Sequence, residues 1–216
     1  GPPASTSGQV VAGKGMGGFT SRGETFDTTI YRSMLNHPKV VGIGECGLDY
    51  FRLDEASIKK QQQDFEMQIA LANDMGKPLM LHVRSNPSRS AYKDALLILR
   101  DRAKVKGNFH FFAGSWEEAR EILDFGFTLS FTGVITFPPK AGQPGADAIE
   151  IIKNAPLDMI MSETDSPYVT PAPHRGKRNE PVYVIEVVKK IAEIRGEDFE
   201  KVRSQLVENA FRVFNL

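Results

Sequence analysis

Strand-like and helix-like stretches alternate through residues 39–216, and that alternation confines the chain to a small set of folds. Val40-Val41-Gly42-Ile43-Gly44-Glu45 is short, apolar and β-branched, as expected of a strand covered on both faces. A loop with Gly47, Leu48, Asp49 and Tyr50 leads to a helix from about Ala56 to Met75, with Phe65, Ile69 and Ala72 on one face. Gly76 ends that helix, since glycine adopts the left-handed closing turn without steric cost. Leu79 to Val83 is the next strand, and the helix after the Asn86-Pro87-Ser88 turn carries Leu96, Leu99 and Ala103 on one stripe. Gly107 to Phe112 reads as the third strand, and Ser115-Trp116-Glu117-Glu118 is a capping box that opens a helix ending at Phe125. Phe127 to Phe131 is the fourth strand, followed by a Pro- and Gly-rich loop and a helix over Asp147 to Asn154. The fifth strand climbs through Ile160 and Met161 into Glu163 and Asp165, and two helices, Pro181 to Arg195 and about Phe199 to Phe214, close the chain.

Strands alternating with helices require a parallel sheet with right-handed crossovers, so the fold class is α/β. Five βα units are legible, whereas a closed (β/α) barrel needs about eight. Residues 25–216 therefore form one domain, either an open sheet or a TIM-barrel-type fold missing its beginning. Residues 1–24 are glycine-rich with little apolar periodicity and read as a flexible leader. The 216 residues carry a net charge of +0, so any binding of a polyanion has to come from a local patch. The single cysteine, Cys46, excludes an internal disulfide and suits a reducing intracellular compartment, cytoplasmic or nuclear. No apolar run approaches the roughly 18 residues of a membrane span.

The polar residues at the strand ends carry the chemistry. Four strands terminate in metal-competent side chains, Glu45, His82, His110 and Asp165. In a parallel α/β fold all carboxyl ends lie on one side, so these four are expected to converge there. Two imidazoles with carboxylates suit zinc, manganese or iron. If the fifth strand persists far enough, Glu163 and Asp165 share a face, and two like charges that close call for a cation or a shared proton. Arg84, two residues beyond His82, and the loop carrying Arg175, Lys177, Arg178 and Asn179 add basic groups suited to a phosphate or carboxylate substrate. His37 and His174 read as surface residues, and Cys46 as a small buried hydrophobe.

Five motifs together resemble the TatD family of metal-dependent deoxyribonucleases, which have an amidohydrolase-like TIM barrel. They are Gly42-Ile43-Gly44-Glu45-Cys46-Gly47-Leu48-Asp49-Tyr50, Leu81-His82-Val83-Arg84, Phe109-His110-Phe111-Phe112-Ala113-Gly114, Glu163-Thr164-Asp165-Ser166-Pro167 and Gly176-Lys177-Arg178-Asn179-Glu180-Pro181. The resemblance implies two divalent ions (Mg, Mn or Zn), with Glu45 bridging, His82 and His110 on one ion and Asp165 on the other. It implies catalytic roles for Glu45 and Asp165, substrate contacts from Arg84, Arg178 and Asn179, and an orienting role for Glu163. The implied substrate is DNA, single-stranded or at 3′ ends, and the alternatives are an ester or amide such as misacylated tRNA, or a binding remnant without catalysis. The family's opening Asp-x-His-x-His strand has no counterpart in this chain. A barrel without its first three strands is expected to expose two long apolar edges, covered by a protein partner or by self-association.

Overall fold

The structure, a computed structural model, describes residues 26–51, 55–138 and 147–216. The glycine-rich leader and residues 139–146 of the loop after the fourth strand lie outside the described residues. Helix α1 (Thr28–Leu35) precedes five parallel strands, β1 (Ile43–Asp49), β2 (Leu79–Arg84), β3 (Gly107–His110), β4 (Thr128–Phe131) and β5 (Ile160–Ser162). Each strand pairs with the next in sequence order. Helices α2 (Glu55–Met75), α3 (Ala91–Arg102), α4 (Trp116–Asp124) and α5 (Ala148–Asn154) fill the four crossovers, and α6 (Val184–Arg195) and α7 (Phe199–Phe214) follow β5. This is the wall of a TIM-type α/β barrel, with five of its roughly eight units.

Several strand boundaries differ from the sequence reading, and two of them matter for the site. β1 continues through Gly47 and Leu48 to Asp49, residues that read as loop, because it keeps pairing with β2 to the Asp49–Arg84 level. Glycine at 47 makes this possible: its φ is 135°, and a Cβ there would stand 2.3 Å from the His82 carbonyl oxygen. Conversely β5 stops at Ser162, so Glu163 and Asp165 do not share a strand face. Asp165 instead has a left-handed φ of 56°.

Period-two alternation sorts the strands into two faces. Leu79, Leu81, Val83, Phe109, Leu129 and Ile160 are buried in the core with Phe65 and Ile69 of α2 and Leu96 and Leu99 of α3. On the opposite face, the registers align Met80 with Asn108, Asn108 with Thr128 and His82 with His110. This inner face is polar, and its buried members satisfy one another. Thr128 Oγ1 donates to Asn108 Oδ1 (3.0 Å), and Asn108 Nδ2 donates to Ser130 Oγ (2.7 Å). Among the described residues no buried side-chain nitrogen or oxygen lacks a partner.

The two edge strands, β1 and β5, are each held at one point by the chain's own helices. β5 is three residues long, and α7 caps its beginning: buried Asn209 donates to the carbonyls of Leu157 (2.8 Å) and Ile160 (2.7 Å). Arg212 of α7 adds a bond to the Asp158 carbonyl. On β1, the Gln61 amide of α2 accepts from the Asp49 N–H (2.7 Å) and donates to the Asp49 carbonyl (2.9 Å), imitating a neighbouring strand. Side chains from the chain's own helices thus bind edge backbone groups at Asp49 and at Ile160. Among the described residues no helix is long and apolar enough to cross a membrane.

Replacing Asn209 with alanine leaves the buried Ile160 carbonyl unpaired and removes a second bond, to the Leu157 carbonyl, and an unpaired buried acceptor costs about 1–3 kcal/mol. Urea unfolding followed by circular dichroism is expected to show that loss. A midpoint equal to that of the parent chain would show that α7 does not hold β5 through this residue.

Candidate metal centre

Three side chains from three adjacent strands meet, Glu45 early in β1, His82 within β2 and His110 at the end of β3, so the expectation that Glu45 ends its strand is corrected. Glu45, His82 and His110 each offer a ligand atom, and those atoms lie within 4.8 Å of one another. One Glu45 oxygen is 3.6 Å from His82 Nδ1 and 3.6 Å from His110 Nε2. The two ring nitrogens are 3.0 Å apart. The parallel register sets this out, because the β2–β3 pairing puts His82 and His110 at the same level. A register irregularity in β1 between Ile43 and Cys46 presents Glu45 beside them. Exposure falls from Glu45 (57%) through His82 (37%) to His110 (5%), so the cluster runs from an open mouth to a buried floor.

Each histidine is held from behind by a carboxylate. His110 Nδ1 lies 3.2 Å from one Glu163 oxygen, while the other accepts from the Ser130 hydroxyl (2.5 Å) and the Phe111 N–H (2.6 Å). His82 Nε2 lies 3.2 Å from Asp49 Oδ2. Burial alone would push the Glu163 carboxyl up, but its bonds with His110, Ser130 and Phe111 outweigh burial and hold it below the usual range. Burial likewise opposes a lowered Asp49, and His82, the Phe51 N–H and Arg84 overcome it. Both carboxyls are therefore ionised at neutral pH and accept only, so each facing ring nitrogen carries a hydrogen. In neutral rings that leaves His82 Nδ1 and His110 Nε2 as two bare lone pairs facing each other. Such an arrangement calls for a shared extra proton or a cation, and the third neighbour, Glu45, is an anion. The donor set fits a divalent metal ion, with nitrogen and oxygen ligands typical of zinc or manganese.

The remaining expected residues are placed as follows. Asp165 lies outside the three-residue cluster but within its field. Burial raises its carboxyl above the ordinary value; His110 and His82 pull it down, and the charges of Glu163 and Glu45 push it further up. Asn179 is buried (1% exposed) rather than presented to a substrate, a correction to its expected role. Its amide donates to the carbonyls of Thr164 (2.7 Å) and Tyr168 (2.6 Å), fixing the loop that carries Asp165. Arg84 is exposed, with its guanidinium 3.6 Å from the Phe51 ring centre, and Arg178 is exposed in the loop before α6. Cys46 is buried, and desolvation, reinforced by the Glu45 charge, pushes its thiol up to about 12, which removes it as a ligand or nucleophile near neutrality. A cavity of about 300 Å³ opens beside the cluster, between Glu45, Asp49 and His82 on one wall and Gln61, Asp64 and Gln68 of α2 on the other.

Sequence reasoning passed over Asp49, Ser130 and Asn108. The two on β3 and β4 had a signal, since Asn108 and His110, like Thr128 and Ser130, are two apart and share a strand face. Asp49 has none, because only its pairing with β2 makes it a strand residue.

A parallel α/β sheet bearing a histidine–carboxylate cluster at its strand carboxyl ends defines the class: a metal-dependent hydrolase of TIM-barrel type. The family model described as TatD related DNase matches residues 19–215, and the chain belongs to that family. It is 41% identical over 192 residues to the uncharacterized metal-dependent hydrolase YabD of Bacillus subtilis (strain 168), covering 88% of this chain and 71% of that one. It is 31% identical to the 3′-5′ ssDNA/RNA exonuclease TatD of Pantoea vagans, covering 86% and 70%. The crystal structure of YJJV, a TatD homolog from Escherichia coli, superposes with a TM-score of 0.77 at 26% identity, covering 88% of this chain and 70% of that chain.

The His110–Glu163 pair makes stability depend on pH. For His110, burial lowers the imidazole, but the Glu163 bond and charge, then Glu45 and Asp165, raise it overall above 6.5. Its contribution is complete below 6.5 and fades as pH rises through the folded value. Glu163 contributes fully above 4.5 and loses its contribution as pH falls through its lowered value. In the metal-free protein, the stability difference between the parent chain and Glu163→Gln is therefore expected to be largest between 4.5 and 6.5 and to shrink on both sides. Urea midpoints measured across pH in the presence of a chelator would show this, and a pH-independent difference would contradict it.

Proposed function

We propose that residues 25–216 form a TatD-type hydrolase unit that cleaves phosphodiester bonds of DNA, trimming single strands from the 3′ end. The observation that carries this reading is the Glu45–His82–His110 cluster, whose ligand atoms lie within 4.8 Å of one another and form a nitrogen and oxygen donor set suited to a divalent ion. Exposed arginines accompany it, and the curated relative from Pantoea vagans is named as an exonuclease of that type. The single cysteine supports an intracellular setting.

Glu45, His82 and His110 would hold a divalent ion, Mg, Mn or Zn, and Asp165 would contribute to a second, adjoining position. Such an ion supplies Lewis acidity, lowering the pKa of a bound water and offsetting charge on phosphoryl oxygens. The chain's own groups do the rest. Glu163, anchored by Ser130 and Phe111, keeps the His110 ring turned with Nε2 toward the cluster. Asp165, with its loop clamped by Asn179, would take a proton from the attacking water. Arg84 and Arg178 would pair with flanking phosphates, Arg84 presenting a flat guanidinium already stacked on Phe51.

The test is Mn²⁺- or Mg²⁺-dependent shortening of 5′-labelled single-stranded DNA. A ladder receding from the 3′ end is expected, stopped by chelation and reduced about 100-fold or more in Glu45→Ala, the scale of losing a positioned catalytic group. Activity unchanged by Glu45→Ala would sink the assignment of this site. Cleavage of an aminoacyl ester but not of DNA would favour the ester or amide substrate instead.

The two metal positions are predicted to differ. Two neutral imidazoles with a carboxylate make a more complete ligand set than Asp165, which stands outside the cluster. Titration with Mn²⁺ is expected to fill one tight position that His110→Ala abolishes and Asp165→Asn leaves in place. Loss of the tight position in Asp165→Asn alone would reverse the order.

A further inference from the structure

The His110–Glu163 pair has a counterpart across the cluster. Asp49, the last residue of β1, sits behind His82 as Glu163 sits behind His110: Oδ2 lies 3.2 Å from the ring nitrogen that faces away from Glu45. In both pairs the second carboxylate oxygen is taken by a backbone N–H, from Phe111 to Glu163 (2.6 Å) and from Phe51 to Asp49 (2.9 Å). The Asp49 backbone is fixed from its other side by the two-point grip of Gln61. Nothing in this arrangement lets the carboxylate turn without breaking a bond, and its position in the register, level with Arg84 and one pairing beyond Leu48–Val83, points it at His82.

We propose that Asp49 is the positioning residue for His82, fixing the tautomer that carries hydrogen on Nε2 and so turns a bare Nδ1 toward Glu45 and His110. The proposal rests on the reading of that cluster as a metal site, and it extends that reading to a residue that touches no metal. The physical requirement is specific. A histidine ligates through an unprotonated nitrogen, so a partner that accepts at Nε2 makes Nδ1 available, while a partner that donates there blocks it. A carboxylate has two accepting oxygens and can serve the Phe51 N–H and His82 together. An amide of the same shape has one. In Asp49→Asn the Phe51 N–H retains the oxygen, and the NH₂ faces His82 Nε2, so the ring is driven to the opposite tautomer with hydrogen on Nδ1. The nearly isosteric change keeps the packing and reverses only the direction of one hydrogen bond.

Two readouts on the full chain test this. In the metal-free protein labelled with ¹⁵N-histidine, at a pH where both rings are neutral, long-range proton–nitrogen correlations report which His82 nitrogen carries hydrogen. The expected result is Nε2–H in the parent chain and Nδ1–H in Asp49→Asn. Co²⁺ titration followed by its visible absorption is expected to show affinity about 10–100-fold weaker in Asp49→Asn, the scale on which such orienting partners act. Asp49→Glu, which restores two accepting oxygens, is expected to recover part of that affinity. A purely structural role would shift the urea midpoint while leaving tautomer and cobalt affinity alone, and that outcome would overturn the proposal. Failure of the parent chain to take up cobalt would refute the metal reading itself, and the tautomer comparison would still decide for or against Asp49.

Discussion

Parallel register is the constraint on which this molecule depends. Because β2 and β3 pair with His82 opposite His110, two residues far apart in sequence bring ring nitrogens to 3.0 Å from each other. β1 has to reach the same level with Glu45, and it does so through an irregular pairing near its start and a glycine at 47 that lets its backbone lie against the His82 carbonyl. A one-residue slip anywhere in this set would turn the side chains to the helix-covered face, where an ionisable group has no partner.

The same register builds the support beneath the cluster. Thr128, Asn108, Ser130 and Glu163 form a buried line of hydrogen bonds across β3, β4 and the end of β5. Such a line is costly when half satisfied and rigid when complete. Here it is complete, and it ends on the oxygen of Glu163 that does not face His110. The rigidity of the sheet interior is thereby delivered to a metal-competent ring. On the other side, where β1 is an edge strand, the work falls to Gln61 and the Phe51 N–H, which hold Asp49 in place of a neighbouring strand.

Edge management and site building are in this way the same problem. At β5, Asn209 of α7 binds the edge carbonyl of Ile160, and Asn209 and Arg212 bind the carbonyls of Leu157 and Asp158 in the turn before the strand. Helix α7 thereby braces the start of β5. Backbone groups without a strand partner still need bonds, and polar side chains of adjacent helices supply them.

The alternation of strands with helices, the capping box at Ser115 and the C-terminal ends of α6 and α7 were legible directly, because each depends on local propensity and period. Convergence of Glu45, His82 and His110, three of the four expected residues, also followed from the sequence, since parallel connection puts every strand carboxyl end on one side, while Asp165 stays outside the cluster. The end of β5 was not legible. An apolar run continuing into Glu163 looks like strand, yet the Asp165 loop is set by Asn179 from farther along the chain. For the same reason Asn179 looked like a substrate contact and is a buried clamp. Asp49 escaped notice because only the pairing with β2 makes it a strand residue facing His82. The sequence alone therefore determined the α/β order and the identity of the three clustered side chains, both encoded in local period and chain direction. Tertiary structure decided which nitrogen each histidine presents and which carboxylate stands behind it, because hydrogen bonds between distant segments are fixed by register and have no local signature.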